Sequence, residues 1–191
     1  MGHPAKVLGE QSSRGFESLT LRKIHIFTFP YIVISMNIYL GNDFNKETDE
    51  AVFFYTPLHY SLDNFSAFSI KIWGKNFPTS EHAYQWRKYY EAHPDIAEEI
   101  LSATSPNQVK NISDQHKDKV PESFVQNKQE IMKEILLTKI DQHEKVKRVL
   151  IETESKTIVE NSPTDMYWGI ADGTGENVLG KIWMDIRDGL Q

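Results

Sequence analysis

The sequence predicts a mainly helical α+β domain, in which short N-terminal strands are followed by a helical bundle. Two observations support this class. Runs with the composition of strands come before residue 78, whereas apolar residues at spacings of three and four dominate after it. The chain also has 191 residues, enough for one domain with a hydrophobic core. The sequence shows no internal repeat, heptad array or transmembrane segment.

Three segments have the composition of strands. Residues 51–55, AVFFY, form a short apolar and aromatic run. Residues 65–73, FSAFSIKIW, alternate between apolar and polar side chains, which indicates a half-buried strand, and residues 74–76, GKN, supply a turn. A third strand is predicted at residues 157–160, TIVE, ahead of two turn-rich loops.

Capping residues and prolines mark the helices. Thr79 or Ser80 can cap the first helix, and residues 93–94, a His-Pro pair, end it and open the second. The Ser-Pro pair at 105–106 marks the start of a third helix. Amphipathic patterns then predict helices at 122–142 and 143–153. The last predicted helix has an apolar face made of Val178, Leu179, Ile182, Trp183 and Ile186.

Residues 1–35 differ in character from the rest, and three interpretations are open. A secretory signal would explain basic residues before an apolar run, but Pro30 interrupts that run and no small-residue cleavage site follows. Alternatively, the natural start is Met36, because RGFES at 14–18 can be encoded by GGTTCGAGTC, which resembles the T-arm of a transfer-RNA gene. The third is a genuine N-terminal arm. We expect 1–35 to be a non-native or disordered extension and 36–191 to form the domain.

Composition excludes several classes of function. There is no cysteine, so disulfides, thiolate nucleophiles and cysteine-based zinc sites are excluded, and a reducing, cytoplasmic location is expected. The net charge is −6 without a long Lys/Arg run, which argues against general nucleic-acid binding and against a membrane partner. The seven histidines lack metal-ligand spacing, so we predict no metal and no cofactor.

The stretch FPTSEHAYQWRKYY, residues 77–90, raises the question of function. On a helix, Glu81, Tyr84, Gln85 and Lys88 share one face. The opposite face, predicted to contact the core, comprises Ala83, Trp86 and Tyr90. Because Glu81 lies in the first turn, the helix dipole favours its ionised form. The polar column is either the wall of an active site or a solvated helix face on which Glu81 compensates the dipole.

A second polar cluster lies in the loop VENSPTDMYWG, residues 159–169. It offers Glu160 and Asp165 beside Tyr167 and Trp168, an arrangement that suits a base stacked on a ring with its sugar facing acids. Two carboxylates on different elements are also common in glycosidic chemistry. Alternatively, Trp168 packs on the core and pins the loop.

Two further side chains leave alternatives open. His82 is expected to be a core or surface histidine, because it points away from the polar column. Lys139 closes the apolar face of the longest predicted helix, where it either extends its stem along that face or reaches a phosphate or carbonyl in the site.

The order of these motifs resembles the NADAR family, the YbiA-like N-glycosidases. The matching stretches run in order over about residues 50–190: FFY (53–55), DNF (63–65), GKNFPTSEHAYQWRK (74–88), SP (105–106), TK (138–139), VENSPTDMYWG (159–169) and NVLGKIWMDIR (177–187). The resemblance implies a YbiA-like single domain that hydrolyses a bond between a ribose and a base. It implies two substrate classes, ribosylated pyrimidine phosphates of riboflavin synthesis and ADP-ribose attached to guanine, free or on DNA.

The resemblance also implies site residues. Glu81 and Asp165 correspond to the acids expected to stabilise the sugar cation and to activate water or bind ribose. Lys88 corresponds to the family lysine one turn past the Tyr-Gln pair. We expect Lys88 or Lys139 to neutralise a phosphate or, alternatively, to attack the opened sugar as a Schiff base. The expected substrate-binding residues are Asn64, Tyr84, Gln85, Phe124, Lys139 and Trp168.

This sequence departs from the family at three positions: it has Asp63 where Ser is usual, and Phe77 and Phe124 where Trp is usual. Phe124 keeps a ring but lacks the indole N–H donor, so substrate preference can differ. Two rival functions follow from the same residues. The first is a module that binds ADP-ribose or NAD without turnover, and the second is a structural or interaction protein.

Overall fold

A computed structural model describes residues 46–55 and 60–190 of the chain. The expectation for residues 1–35 lies outside these residues. In chain order the strands are β1 (Lys46–Glu47), β2 (Ala51–Phe54), β3 (Ile70–Ile72), β4 (Lys75–Phe77) and β5 (Thr157–Glu160). The helices are α1 (Ser80–Tyr89), α2 (Pro94–Ser102), α3 (Pro106–Gln115), α4 (Glu122–Gln142), α5 (Glu144–Glu152) and α6 (Val178–Asp188). The prediction of a mainly helical α+β domain with short strands is confirmed.

A small sheet pairs two strands from the beginning of the described domain with β5, which follows the helices α1 to α5. Its order is β1-β2-β5, with β1 antiparallel and β5 parallel to β2. All four residues of β2 are buried, which explains why its sequence is an unbroken apolar run. The parallel pairing sets Phe54 opposite Glu160, so both strands end at the same edge. The strands predicted at 51–55 and 157–160 are confirmed to within one residue.

A hairpin, β3 and β4, occupies the segment where one longer strand was predicted. Trp73 and Gly74 both have positive φ, 50° and 74°, as a two-residue hairpin turn requires. The turn is therefore at 73–74, and the predicted turn residues 75–76 belong to β4. The prediction for 65–73 was wrong outside residues 70–72.

The helices begin where the capping signals predicted. The Thr79 side chain accepts a hydrogen bond from the backbone N–H of His82, and the Ser105 side chain accepts one from that of Gln108. Proline occupies the first position of α2 and of α3. None of the described helices is both long enough and apolar enough to cross a membrane.

The aromatic core differs from the prediction at the end of α1. Tyr89 is completely buried, and its hydroxyl donates to the carbonyl oxygen of Ser113 at 3.1 Å. Tyr90, predicted to be in the core, is 41% exposed and stacks on Trp86 with ring centroids 4.5 Å apart. Tyr90 keeps a helical backbone just after the last residue of α1, and its ring therefore lies one turn beyond that of Trp86 and covers it from the solvent side.

Candidate active site

A cavity of about 600 Å³ lies between α1, α3, the turn at 63–65 and the segment 160–168. This volume is in the usual range for small-molecule sites. Its charged lining consists of five carboxylates and two lysines: Asp63, Glu81, Asp114, Glu160, Asp165, Lys88 and Lys110. The other residues that line it include Asn64, Tyr84, Gln85, Met132, Tyr167 and Trp168. Seven of the nine predicted site residues therefore meet at one cavity.

The polar column of α1 forms one wall. Glu81, Tyr84, Gln85 and Lys88 all line the cavity, as their spacing predicted. Glu81 is buried, its Oε1 atom accepts a hydrogen bond from Gln85 Nε2 at 2.7 Å, and its backbone N–H donates to the Asn64 carbonyl oxygen at 3.0 Å. These bonds fix both the carboxyl group and the start of the helix against the turn at 63–65.

Burial alters the electrostatics that the position of Glu81 on the helix implied. Desolvation raises the pKa of Glu81, although the hydrogen bond from Gln85 and the positive charge of Lys88 act in the opposite direction. The position of Glu81 in the first helical turn still favours its ionised form, as predicted, but desolvation acts in the opposite direction and raises the pKa above its ordinary value. The carboxyl group is poorly hydrated, so a cation next to it would be a favourable partner.

Lys88 stands between two helices. Its Nζ atom donates to Ser113 Oγ at 3.0 Å and lies 5.5 Å from the centre of the Tyr84 ring. Burial lowers the pKa of Lys88, while the nearby carboxylates of Glu81 and Asp114 raise it. The amine therefore occupies a site that is only partly solvated and that has acids on both sides.

The contribution of α3 was not predicted. Asn107, Lys110 and Asp114 line the cavity, and Lys110 Nζ lies 3.3 Å from Asp114 Oδ2. The signal was present in the sequence, because these residues are three, four and seven positions apart and therefore share a face. Buried Val109 and Ile112 form the other side of α3.

The loop 161–169 is built around Asp165. Its Oδ1 atom accepts hydrogen bonds from the backbone N–H groups of Tyr167, at 2.9 Å, and Trp168, at 2.8 Å. Ser162 Oγ accepts one from the Asp165 N–H at 3.1 Å. Trp168 packs edge-on against Tyr84, with ring centroids 5.5 Å apart. The alternative of a pinned loop is thus correct for Trp168, yet both side chains also line the cavity.

Phe124 does not line this cavity. It is buried behind Tyr84, with ring centroids 5.3 Å apart, and it lines a neighbouring pocket of about 310 Å³. Lys88 borders both spaces, and Arg87 borders the smaller one. A direct stacking role for Phe124 in the larger cavity, the prediction made from sequence, does not fit this placement.

Lys139 is also outside the cavity. It is completely buried, and Nζ donates to the Asp63 carbonyl oxygen and to Ser66 Oγ, both at 2.9 Å. Burial lowers the pKa of Lys139 to about 7. The amine does not reach solvent, so the first predicted alternative is wrong. It does reach the carbonyl oxygen of a cavity residue, Asp63, although Lys139 itself does not line the cavity. It supports the turn at 63–66 from beneath.

His82 is buried, and its Nδ1 atom lies 2.8 Å from Thr79 Oγ1. It is therefore a core histidine, one of the two roles expected. In the part of the chain that the structure describes, no cluster of three or more His and acidic residues is arranged to hold a metal ion.

Three buried oxygen atoms on cavity residues have no hydrogen-bond partner among the described residues. They are Asn64 Oδ1, Gln85 Oε1 and Glu160 Oε2. The Asn64 amide is oriented by its Nδ2 atom, which lies 3.4 Å from Met132 Sδ. Buried polar atoms without partners are unfavourable, so a ligand that supplied hydrogen-bond donors to these oxygens would be stabilised.

A cavity with buried carboxylates and a few convergent polar groups has the character of an enzyme active site. The profile of the family described as NADAR domain matches residues 44–191, and the chain belongs to this family. That membership confirms the resemblance seen in the sequence motifs.

Curated relatives agree with this membership. N-glycosidase YbiA of Escherichia coli K12 is 32% identical over 130 residues, which are 68% of this chain and 80% of that protein. An N-glycosidase of Nostoc punctiforme is 32% identical over 132 residues, 68% of this chain and 85% of that protein. A riboflavin biosynthesis protein of Vibrio vulnificus is 31% identical over 146 residues, 75% of this chain but 39% of that longer protein.

A solved structure supports the same assignment. The NMR structure of the Escherichia coli protein YbiA matches with a TM-score of 0.64 and 30% sequence identity, covering 78% of this chain and 89% of that one. Similarity in fold, family and sequence to curated N-glycosidases therefore places this chain among the N-glycosidase enzymes of the NADAR family.

Proposed function

We propose that the cavity binds a ribose phosphate joined to a nucleobase-like group and hydrolyses the N-glycosidic bond between them. The observation that carries this proposal is the convergence of Glu81, Glu160 and Asp165 on a cavity with buried acceptor oxygens that lack partners. Ribose hydroxyl groups are donors that can satisfy such oxygens. Carboxylates near the anomeric carbon suit a reaction in which that carbon becomes cationic.

Glu81 is the residue expected to stabilise the sugar cation. As the base departs, positive charge develops at ribose C1′, and a buried carboxylate attracts it more strongly than a hydrated one does. The hydrogen bond from Gln85 holds the carboxyl group in place, so it need not reorganise during the reaction. The raised pKa of Glu81 reflects its lost hydration, and the hydrogen bond from Gln85 and the charge of Lys88 act against it and favour the ionised form that this role needs.

Asp165 takes the complementary role of activating water or binding a ribose hydroxyl. One of its carboxylate oxygens receives two backbone N–H groups, which fixes the orientation of the other. Trp168 and Tyr84 meet edge-on beside it and offer ring surface for the base. Lys88, with Lys110 across the cavity, provides positive charge for a phosphate.

Two substrate classes suit this site. A ribosylated pyrimidine phosphate is favoured by the relative named as a riboflavin biosynthesis protein. ADP-ribose attached to guanine is favoured by a different observation, the second pocket that shares Lys88 and is also bordered by Arg87. A diphosphate could extend along these two cations from one pocket into the other.

The test is to incubate the full chain separately with each substrate and to follow base release by mass spectrometry. Glu81→Gln keeps the size of the side chain but removes its charge, so we expect it to abolish release. Thermal stabilisation by ADP-ribose or ribose phosphate should persist in that variant. Stabilisation without release by the wild-type chain would instead identify a binding module. The absence of both would exclude this cavity as a site for these ligands.

A further inference from the structure

Glu160 occupies a distinct place among the cavity acids. It is the last residue of β5, directly beside the last residue of β2, Phe54, in a parallel pair. Tyr55, which follows β2, also lines the cavity. The carboxyl ends of parallel strands are a common place for catalytic side chains in α/β proteins, because the two chains end side by side and project into one space.

The backbone of Glu160 is fixed on both sides. Its N–H donates to Asn177 Oδ1 at 3.0 Å, and its carbonyl oxygen accepts a hydrogen bond from Ile170 N–H at 3.1 Å. Gly169 lies so close that a Cβ atom there would be 2.9 Å from the Glu160 carbonyl oxygen. A residue held this tightly presents its side chain to the cavity in a defined direction.

The carboxyl group of Glu160 lacks the support that the other two acids have. Its Oε2 atom is buried, with no partner in residues 46–55 and 60–190. Glu81, by contrast, receives a side-chain amide, and Asp165 receives two backbone N–H groups. Desolvation, and then the nearby charges of Asp165, Asp63 and Glu81, raise the pKa of Glu160 well above its usual range.

We propose that Glu160 is the catalytic acid that protonates the departing base, an assignment that rests on the proposed function. The bond between ribose C1′ and the base nitrogen breaks, and its electron pair goes to the nitrogen, which receives the Glu160 proton. Water adds to C1′ and loses a proton to Asp165, so a ribose hydroxyl and a protonated base are formed. Exchange with solvent then returns a proton to Glu160 and removes one from Asp165.

The different surroundings of the three acids support this assignment of Glu160 as proton donor and Asp165 as base. Asp165 and Glu81 receive hydrogen bonds that suit ionised carboxylates, whereas the neutral form suits the unsupported Glu160. Hydrolysis of a glycosidic bond commonly uses one carboxyl group as acid and another as base, and both residues line this cavity.

The experiment compares Glu160→Gln with Glu176→Gln, an exposed glutamate in the same loop region, on the substrate whose base the wild-type chain releases. General acid catalysis typically contributes about 10²–10⁴-fold, so we expect kcat of Glu160→Gln to fall by at least about 100-fold. Glu176→Gln should keep the wild-type kcat. Both variants should keep the wild-type thermal stabilisation by ribose phosphate.

The pH profile separates proton donation from a structural role. In the wild-type chain, kcat should decline at alkaline pH as Glu160 loses its proton, and Glu160→Gln should lack that decline. A variant that keeps the alkaline decline, or a kcat within about threefold of wild type, would overturn the assignment alone. Absence of base release by the wild-type chain would overturn the proposed function and this assignment together.

Discussion

The Asn177 side chain holds the backbone of β5 next to Glu160, so its replacement tests both the stability of the fold and the geometry of the site. Asn177 has a left-handed backbone, with φ of 52°, just before α6. Its Oδ1 atom accepts a hydrogen bond from Glu160 N–H at 3.0 Å, and its Nδ2 atom donates to the Ile158 carbonyl oxygen at 2.9 Å. One side chain thus pairs with β5 along the edge that β2 does not cover. Asn177→Ala removes both bonds.

The expected loss follows from these contacts. Each partner is a partly buried backbone group, and leaving such a group unpaired costs about 1–3 kcal/mol. Alanine also tolerates the left-handed conformation less well than asparagine, by about 1 kcal/mol. We therefore expect Asn177→Ala to lower the free energy of unfolding by about 3–7 kcal/mol, or Tm by about 6–28 °C for a domain of this size.

The assay is urea and thermal unfolding of the wild-type chain, Asn177→Ala and Asn177→Gly. Glycine accepts the left-handed backbone, so Asn177→Gly isolates the loss of the two hydrogen bonds. It should be destabilised, though by about 1 kcal/mol less than Asn177→Ala. In both variants the rate of base release should fall by a larger factor than the folded fraction does, because the Glu160 backbone is no longer held by the Asn177 side chain. Wild-type stability of Asn177→Gly would refute the reasoning.

Three further outcomes are expected. Gly180→Ala should destabilise the fold by about 2 kcal/mol or more, measured by urea unfolding, because its Cβ would lie 2.1 Å from the Ile158 carbonyl oxygen. The pKa of Lys139 is about 7 in the folded chain, below the ordinary value of a lysine, so between about pH 7 and pH 10 the folded chain binds fewer protons than the unfolded chain and its free energy of unfolding should rise with pH. Urea unfolding of Lys139→Met should lack that rise. Parallel pH curves for the variant and the wild-type chain would contradict the reasoning. Trp168→Ala should raise KM for a released substrate about tenfold, from the loss of about 1–3 kcal/mol of stacking, and an unchanged KM would argue against contact with the base.

The helices were predictable because their ends carry local signals. Thr79, Ser105 and the prolines that follow a cap act on backbone groups within one turn, so their effect can be read without tertiary knowledge. The hairpin was not predictable in the same way. Trp73 takes a positive φ, which a bulky residue seldom adopts, and its local sequence does not predict that conformation.

The site was predictable where residues lie on one element. Glu81, Tyr84, Gln85 and Lys88 share a helix face, and helical geometry alone brings them together. Lys139 shows where such reasoning stops, since whether a lysine faces a cavity or the core depends on what packs over it. Here the turn at 63–66 covers it and accepts its hydrogen bonds.

Burial was the physical quantity that the sequence could not supply. Glu81 could be placed in the first helical turn, where the dipole favours its ionised form, but the sequence could not show that packing of α1 against α3 and α4 desolvates the carboxyl group and raises its pKa. Hydrogen bonding distinguishes Glu160 from Asp165, two acids five positions apart in one motif: Glu160 Oε2 is buried without a partner in the described part of the chain, whereas Asp165 Oδ1 accepts two backbone N–H groups. The family pattern locates such residues, but it does not tell which of them has hydrogen-bond partners.

The central claim, hydrolysis of an N-glycosidic bond at this cavity, is tested most directly in water labelled with ¹⁸O. The full chain is incubated separately with the ribosylated pyrimidine phosphate and with ADP-ribosylated guanine, and the masses of the sugar product and of the released base are measured by mass spectrometry. We predict that one ¹⁸O atom enters the sugar product, that none enters the base, and that Glu81→Gln yields neither product. Intact substrate with the wild-type chain, or label in the base or phosphate instead of the sugar, would contradict the account.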